Sequence, residues 1–270
     1  MCIRDRISTT ELRDRLGEAT LLDVRYRTSG PAGPEEYAAG HVPGAVYVDL
    51  DTELADAPGE GGRHPLPPTD VFEAAMRRAG VRRDTPVVVY DDWQGLAAGR
   101  CWWLLRYHGH PDVRMLDGGW SAWLADGGAV EQVAPTPAPG DFTADPGGLP
   151  VVDADRVPDV AVLVDARAPE RYRGETEPID PVAGRIPGAV NVPTARNLTD
   201  DGRFKPAAEL RRIYAEVAAV PGVDVAAYCG SGVTAIHDIV AMEIAGVRAA
   251  LYPGSYSGWI TDPDRKVETG

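Results

Sequence analysis

The sequence predicts an α/β protein built from two tandem copies of one domain, each a mainly parallel sheet flanked by helices. Two observations lead to this prediction. Short apolar runs typical of buried strands alternate with runs of helical period in both halves of the chain. Three motifs of the first half also recur in the second half, in the same order and at nearly constant separation.

The repeated motifs set the expected domain organisation. We expect an N-terminal domain at 7–133, a Pro-rich linker at 134–149 and a C-terminal domain at 150–263. The paired motifs are Leu21-Leu-Asp-Val-Arg25 with Leu163-Val-Asp-Ala-Arg167, 40–46 with 184–190, and 116–123 with 252–259. The elements predicted for the first copy are strands at 19–24 and 85–90, a helix at 70–78 capped by Thr69, and a helix at 99–107.

The composition argues against several classes of function. The 270 residues include 27 basic and 41 acidic side chains, a net charge of −14, which disfavours binding to nucleic acid or to an anionic membrane surface. No apolar run approaches the ~20 residues that cross a bilayer, and no hydrophobic signal segment follows the N-terminus. The three cysteines show neither zinc nor disulfide spacing. We therefore expect a cytoplasmic protein with reduced thiols and no metal site.

The most informative segment is 229–235, Cys-Gly-Ser-Gly-Val-Thr-Ala, between an apolar run at 223–228 and a helical run at 236–244. A cysteine that ends a strand and precedes a helix faces loop amides and the positive end of the helix dipole, and both stabilise a thiolate. We expect Cys229 to be a nucleophile. A phosphatase of the Cys-x5-Arg type would need arginine at position 235, where this chain has alanine. A buried structural cysteine is the other alternative.

The two copies are not expected to share this chemistry. Alignment of the halves places Asp91 opposite Cys229, so the first copy has no thiol at the nucleophile position. Cys101 lies among tryptophans and leucines on a predicted helix and is expected in the core.

With these residues assembled, the chain resembles the tandem-domain sulfurtransferases, the family of rhodanese and 3-mercaptopyruvate sulfurtransferase. The resemblance covers roughly residues 8–262. The motifs that carry it are the loop 229–235, the Pro-Gly-Ala segments at 41–45 and 185–189, and the stretches 117–120 and 253–256.

The resemblance implies two rhodanese-type domains with the active site in the C-terminal one, and transfer of a sulfane sulfur through a persulfide on Cys229. The acceptor would be a thiol, cyanide or a thioredoxin-like protein, and no metal or organic cofactor is required. The sulfur anion would be stabilised by loop amides. The loop residues expected to bind it are Gly230, Gly232, Val233 and Thr234.

The uncharged loop resembles the mercaptopyruvate type, because thiosulfate-type loops typically carry basic residues. That type pairs a loop serine with a histidine and an aspartate from the N-terminal domain. The matching residues are Ser231, His64 and Asp51, which would form a relay that moves protons as pyruvate enolate leaves.

Resemblance also assigns the substrate carboxylate to Arg171, since a guanidinium binds a carboxylate through two hydrogen bonds. Arg173 is the alternative. The mercaptopyruvate type usually adds a second arginine shortly downstream, but 175–180 contains none, and Arg185 is the nearest candidate. Thiosulfate therefore stays an alternative donor, and a persulfide carrier serving a protein partner is the alternative outside small-molecule turnover.

Overall fold

The computed structural model describes residues 5–27 and 32–270, which form two compact units. Unit 1 contains the described residues of Met1–Asp56, with Pro67–Leu149 and Asp200–Arg203. Unit 2 contains Ala57–Leu66, Pro150–Thr199 and Phe204–Gly270. Two short segments thus belong to the unit formed mainly by the other sequence copy, and the predicted linker 134–149 lies in unit 1. The expected domain boundaries included neither feature.

Unit 1 is built on a five-stranded parallel sheet with the order β1-β5-β4-β2-β3. Its strands are β1 Arg6–Ile7, β2 Thr20–Asp23, β3 Val46–Tyr47, β4 Val87–Tyr90 and β5 Val113–Leu116. Its helices are α1 Thr9–Asp14, α2 Gly33–Ala39, α3 Leu50–Glu53, α4 Thr69–Arg78, α5 Leu96–Tyr107 and α6 Gly119–Ala125.

Unit 2 repeats this plan on a four-stranded parallel sheet with the order β7-β6-β8-β9. Its strands are β6 Val162–Asp165, β7 Val190–Asn191, β8 Val225–Tyr228 and β9 Ala249–Leu251. Its helices are α7 Pro169–Tyr172, α8 Ala207–Ala215, α9 Ala235–Ala245 and α10 Ser255–Trp259, with 3₁₀ turns at Val157–Asp159 and Thr194–Asn197. The predicted α/β class and parallel sheets are confirmed.

The central strands β4 and β8 are buried at every position, as expected of apolar runs covered on both faces. Helix α5 begins earlier than predicted, after Gly95 in the left-handed conformation. The prediction that Thr69 caps α4 is wrong: Pro68 takes that position, because its carbonyl accepts the first helical hydrogen bond, from Phe72. Among the described residues, every helix is too short or too polar to cross a membrane.

The first repeated motif builds the same buried ion pair in each unit. Arg25 binds Asp23 at 2.7 Å, and Arg167 binds Asp165 at 2.7 Å, with all four side chains almost fully buried. Each arginine also donates to the carbonyl of the glycine that opens the second repeated motif, at 2.6 and 2.7 Å. Breaking such a pair would leave an uncompensated buried charge. The repeated motifs therefore act as scaffold and hold equivalent strand ends in both units.

Candidate active site

Cys229 directly follows the central strand β8, at the carboxyl edge of the sheet, where ligands bind in parallel α/β folds. Its side chain is 1% exposed, and its sulfur accepts a hydrogen bond from the Gly232 amide at 3.2 Å. Gly232 has a φ of +78°, and a Cβ there would lie 2.4 Å from the Pro253 carbonyl oxygen. Only glycine can therefore bring this amide to the sulfur.

Helix α10 fixes the Cys229 loop from behind. The Cys229 amide donates to the Ser255 hydroxyl at 3.1 Å, and its carbonyl accepts from the Tyr256 amide at 3.0 Å. The Gly230 carbonyl accepts from the Ser257 amide at 2.9 Å. These bonds set the direction of the loop backbone before any substrate arrives, which is the preorganisation that stabilises a developing anion. Roles for the amides of Gly230, Val233 and Thr234 in holding sulfur stay predictions.

The structure brings together two of the three residues of the expected relay. The His64 Nδ1 and the Ser231 hydroxyl are joined by a 2.8 Å hydrogen bond within unit 2. The third residue, Asp51, is an exposed residue of α3 in unit 1, and its part in the relay stays a prediction. It does not cap α3, since Asp49 does so through a 2.9 Å bond from the Thr52 amide.

His64 reaches the loop because the segment Ala57–Leu66 packs into unit 2. The Arg63 amide donates to the Ser257 hydroxyl at 3.0 Å, and the Thr261 hydroxyl donates to the Glu60 carbonyl at 3.2 Å. A Cβ on Gly62, which has a φ of +102°, would lie 2.7 Å from the Gly254 carbonyl oxygen. Backbone contacts therefore hold this segment against α10.

Two arginines lie beside the loop. A Cβ built on Gly230 would be 3.5 Å from both terminal nitrogens of Arg171 and 2.7 Å from one of Arg63. Arg171 thus lies where an anion at Cys229 could contact it. Sequence reasoning missed Arg63, although its position directly before the predicted relay residue His64 was the available signal.

Two carboxylates bind these arginines. Arg171 pairs with Glu177 at 2.6 Å and with Asp180 at 3.2 Å, while Arg63 pairs with the other oxygen of Asp180. Burial raises the pKa of Asp180, and the nearby charge of Glu177 adds to the rise. Burial also acts to raise the pKa of Glu177, but hydrogen bonds from Arg171 and backbone amides outweigh it and lower the pKa.

The structure does not support Arg185 as the second arginine of the site. Its guanidinium stacks 4.6 Å from the centre of the Tyr172 ring, donates to the Gly270 carbonyl at 2.8 Å and lies 3.6 Å from Glu268. These contacts hold the Arg185 side chain against the C-terminal residues. The second arginine beside Gly230 is Arg63 instead. Arg173, the alternative to Arg171, has a side chain that is 40% exposed and pairs with Glu175 at 2.7 Å.

Asp91, the counterpart of Cys229, directly follows β4 in unit 1 and is fully buried. Four backbone amides donate to its carboxylate at 2.8–2.9 Å, those of Trp93, Gly95, Ala97 and Ala98. Burial is the largest effect on its pKa and raises it, although the four donors oppose the rise. The first loop therefore surrounds an anion that belongs to the protein itself.

The remaining thiol that the structure describes, Cys101, lies fully buried on α5. Burial raises the pKa of this thiol, which disfavours its reactive thiolate form. The expectation of a core cysteine is confirmed, and Cys2 lies outside the described residues.

A family model described as a rhodanese-like domain matches residues 8–126 and again residues 153–262. The chain belongs to the rhodanese family. A Mycobacterium tuberculosis protein with the provisional name thiosulfate sulfurtransferase SseB is 44% identical over 258 residues, which cover 93% of this chain and 91% of that protein. A Pseudomonas aeruginosa protein provisionally named 3-mercaptopyruvate sulfurtransferase is 43% identical over 278 residues, 98% of each chain.

Among solved structures, the rhodanese fold of the Escherichia coli 3-mercaptopyruvate enzyme SseA is similar, with a TM-score of 0.83 and 31% identity. The match covers 93% of this chain and 98% of that one. The chain is thus an enzyme of the sulfurtransferase type, and the resemblance stated from its motifs is confirmed. These relatives are named for two different donors, thiosulfate and 3-mercaptopyruvate.

Proposed function

We propose that this rhodanese-family enzyme transfers sulfur from 3-mercaptopyruvate, through a persulfide on Cys229, to a thiol, cyanide or a thioredoxin-like acceptor. The observation that carries the proposal is the 2.8 Å hydrogen bond between Ser231 and His64. Ser231 lies two residues after Cys229 in the sequence. A donor that leaves as an enolate must gain a proton, and a hydroxyl bonded to an imidazole can supply one. Thiosulfate releases sulfite instead, and sulfite needs no proton on carbon.

The first step forms one bond to sulfur and breaks another. The Cys229 thiolate attacks the donor sulfur, the carbon–sulfur bond breaks, and its electron pair stays on carbon as pyruvate enolate. Ser231 passes a proton to that carbon, and His64 restores the proton of the hydroxyl. The proton of the donor thiol returns to His64 as the new persulfide ionises, so no proton is gained or lost over the cycle. Cys229 is left carrying the additional sulfur atom, next to the Gly232 amide that already contacts its own sulfur.

The second step releases the sulfur. An acceptor thiolate or cyanide attacks the outer sulfur of the persulfide, the sulfur–sulfur bond breaks, and its electron pair returns to Cys229 as thiolate. This cycle needs a reduced thiol, and the described cysteines Cys101 and Cys229 are both free. A cytoplasmic location is part of the proposal on this ground.

The donor carboxylate would bind Arg171, with Arg63 as the second cation. Both guanidiniums flank Gly230, the residue after the nucleophile, and one carboxylate can accept from two such groups. Thiosulfate is the second candidate donor, because two arginines beside the loop also suit a dianion and one relative is named for that substrate.

Steady-state kinetics with 3-mercaptopyruvate and with thiosulfate, each with cyanide and with a dithiol acceptor, test the proposal. We expect the higher kcat/KM with mercaptopyruvate. Arg171→Ala should cost about 2–4 kcal/mol of transition-state stabilisation with this donor, the range for removing one partner of a desolvated charge pair. Arg173→Ala is the matched control, because its exposed side chain pairs with Glu175 outside the site.

Ser231→Ala should slow turnover of mercaptopyruvate more than turnover of thiosulfate, since only the former product requires a proton on carbon. A higher kcat/KM with thiosulfate in the wild-type enzyme would assign the chain to thiosulfate instead. An unchanged donor ratio in Arg171→Ala would remove this residue from donor recognition.

A further inference from the structure

We propose that Asp180 determines donor specificity by favouring sulfur donors with one negative charge over dianionic donors. This inference rests on the proposed function, because it concerns the donor of the same site. Asp180 ends the stretch 175–180, which contains no arginine.

Asp180 bridges the two arginines beside the nucleophile loop. One carboxylate oxygen lies 3.2 Å from Arg171 Nη2, and the other contacts Arg63 Nη1. The Asp180 side chain is 3% exposed, so little water screens its charge. Since both guanidiniums also flank Gly230, any anion bound by them shares its binding groups with Asp180.

The charges of this cluster cancel before a donor binds. Arg63 and Arg171 contribute two positive charges, and Glu177 and Asp180 contribute two negative ones, while the charge of Arg167 beside Glu177 is balanced by Asp165. A donor with a single carboxylate therefore adds one uncompensated negative charge, whereas a dianion such as thiosulfate adds two. In a poorly hydrated site each added charge is repelled by the Asp180 carboxylate, so the dianion is penalised more.

Glu177 is less suited to this discrimination, because it is bound on more sides. Besides Arg171, it accepts hydrogen bonds from the amides of Ile179 and Asp180 and lies 3.4 Å from Arg167. These contacts fold the loop that presents Asp180. Asp180 instead contacts both arginines proposed to bind the donor. Burial raises its pKa, because a negative charge is poorly solvated at this position.

The test compares the donor ratio in two charge-neutralising variants of one loop. Asp180→Asn removes the negative charge at nearly constant shape, and we expect kcat/KM for thiosulfate relative to mercaptopyruvate to rise about tenfold. Glu175→Gln removes a charge from an exposed side chain that pairs with Arg173, and its donor ratio should stay within about twofold of the wild type. Asp180→Glu keeps the charge and should keep the wild-type preference.

An unchanged ratio in Asp180→Asn, or an equal loss with both donors, would overturn the proposal, because a purely structural role would affect the donors alike. If Asp180→Asn does not fold, Asp180→Ser is a second neutral variant with the same expected rise in the ratio. Failure of the proposed function gives a different result, namely a wild-type enzyme that prefers thiosulfate or turns over neither donor.

Discussion

The loops that follow β4 and β8 occupy equivalent places in the two units, yet they treat negative charge differently. In unit 1, four amides converge on the Asp91 carboxylate, which fills the loop permanently. In unit 2, the corresponding residue is Cys229, whose sulfur receives one amide at 3.2 Å among the contacts described. Both loops therefore have a geometry that suits an anion. In unit 1 the loop is filled by a carboxylate of the protein itself, whereas in unit 2 the proposed anion is the reactive sulfur of Cys229.

The segments that approach the two loops are also related. Gly202-Arg203-Phe204 corresponds in sequence to Gly62-Arg63-His64. Arg203 belongs to unit 1, where it pairs with Asp126 at 3.1 Å and its side chain lies beside Gly118. Each unit thus contains an arginine from the other sequence copy. Phe204, the counterpart of His64, instead belongs to unit 2, where its ring stacks on His237 with the ring centres 4.5 Å apart.

The largest expected effect separates the two copies directly. Cys229→Ser should abolish turnover and the mass gain of one sulfur after donor treatment, since a hydroxyl cannot form the persulfide. Cys101→Ala should retain both, because the buried thiol of α5 takes no part. Mass spectrometry of donor-treated protein is the measurement, and sulfur found on Cys101 would show that the reactive thiol has been wrongly assigned.

The next effect concerns His64, whose counterpart in the other sequence copy is Phe204. His64→Ala should lower kcat/KM for mercaptopyruvate by about a hundredfold, the lower end for loss of a general acid–base group, with a smaller loss for thiosulfate. Glu60→Ala is the control within the same segment, because Glu60 contacts Thr261 through its backbone carbonyl. Equal losses with both donors would mean that His64 only holds the segment in place.

Asp91→Ala should cost stability and spare the chemistry. Four amides lose a buried acceptor, so we expect a loss of about 2–4 kcal/mol in the free energy of unfolding. Persulfide formation on Cys229 should persist under native conditions. Asp84→Ala, whose side chain is 81% exposed, should change stability little, and urea unfolding measures both. Loss of persulfide formation in a folded Asp91→Ala protein would contradict the separation of the two loops.

The smallest expected effect lies on the helices that follow the loops, where Arg100 in α5 corresponds to Asp238 in α9. Burial raises the pKa of Asp238 well above its ordinary value, so the native state holds a proton that the unfolded state releases first. The resulting stability is fully present below about pH 4, the ordinary pKa range of aspartate, and is lost as pH rises through the raised pKa.

The Asp238→Asn variant has no carboxyl proton to lose at this position, so it should not lose this stability as the pH rises. We expect its stability relative to the wild type to increase between pH 5 and pH 7, whereas the exposed control Asp224→Asn should show no such trend. Urea unfolding at the two pH values checks this, and parallel curves for Asp238→Asn and the wild type would contradict a native proton at this position.

The sequence was most informative where the residues of the candidate site are adjacent in the chain. The strand, loop and helix around Cys229 follow from adjacent residues, and the motif repeats predict both sheets. The pairing of Arg63 with Asp180 could not be inferred in this way, because it joins residues far apart in the chain. The contacts of Arg185 could not be inferred either, because proximity in sequence to Arg171 says nothing about the C-terminal residues that bind its side chain.

The placement of Ala57–Leu66 in unit 2 has a consequence for biosynthesis. This segment leaves the ribosome about 160 residues before Cys229, a delay of roughly 8–30 s at usual rates of translation. During that interval His64 has no serine to bind, and Ser257, which anchors the Arg63 amide, does not yet exist. Cys229 is therefore synthesised before the contacts around it can form, and the proposed transfer of sulfur has to wait until α10 has been made.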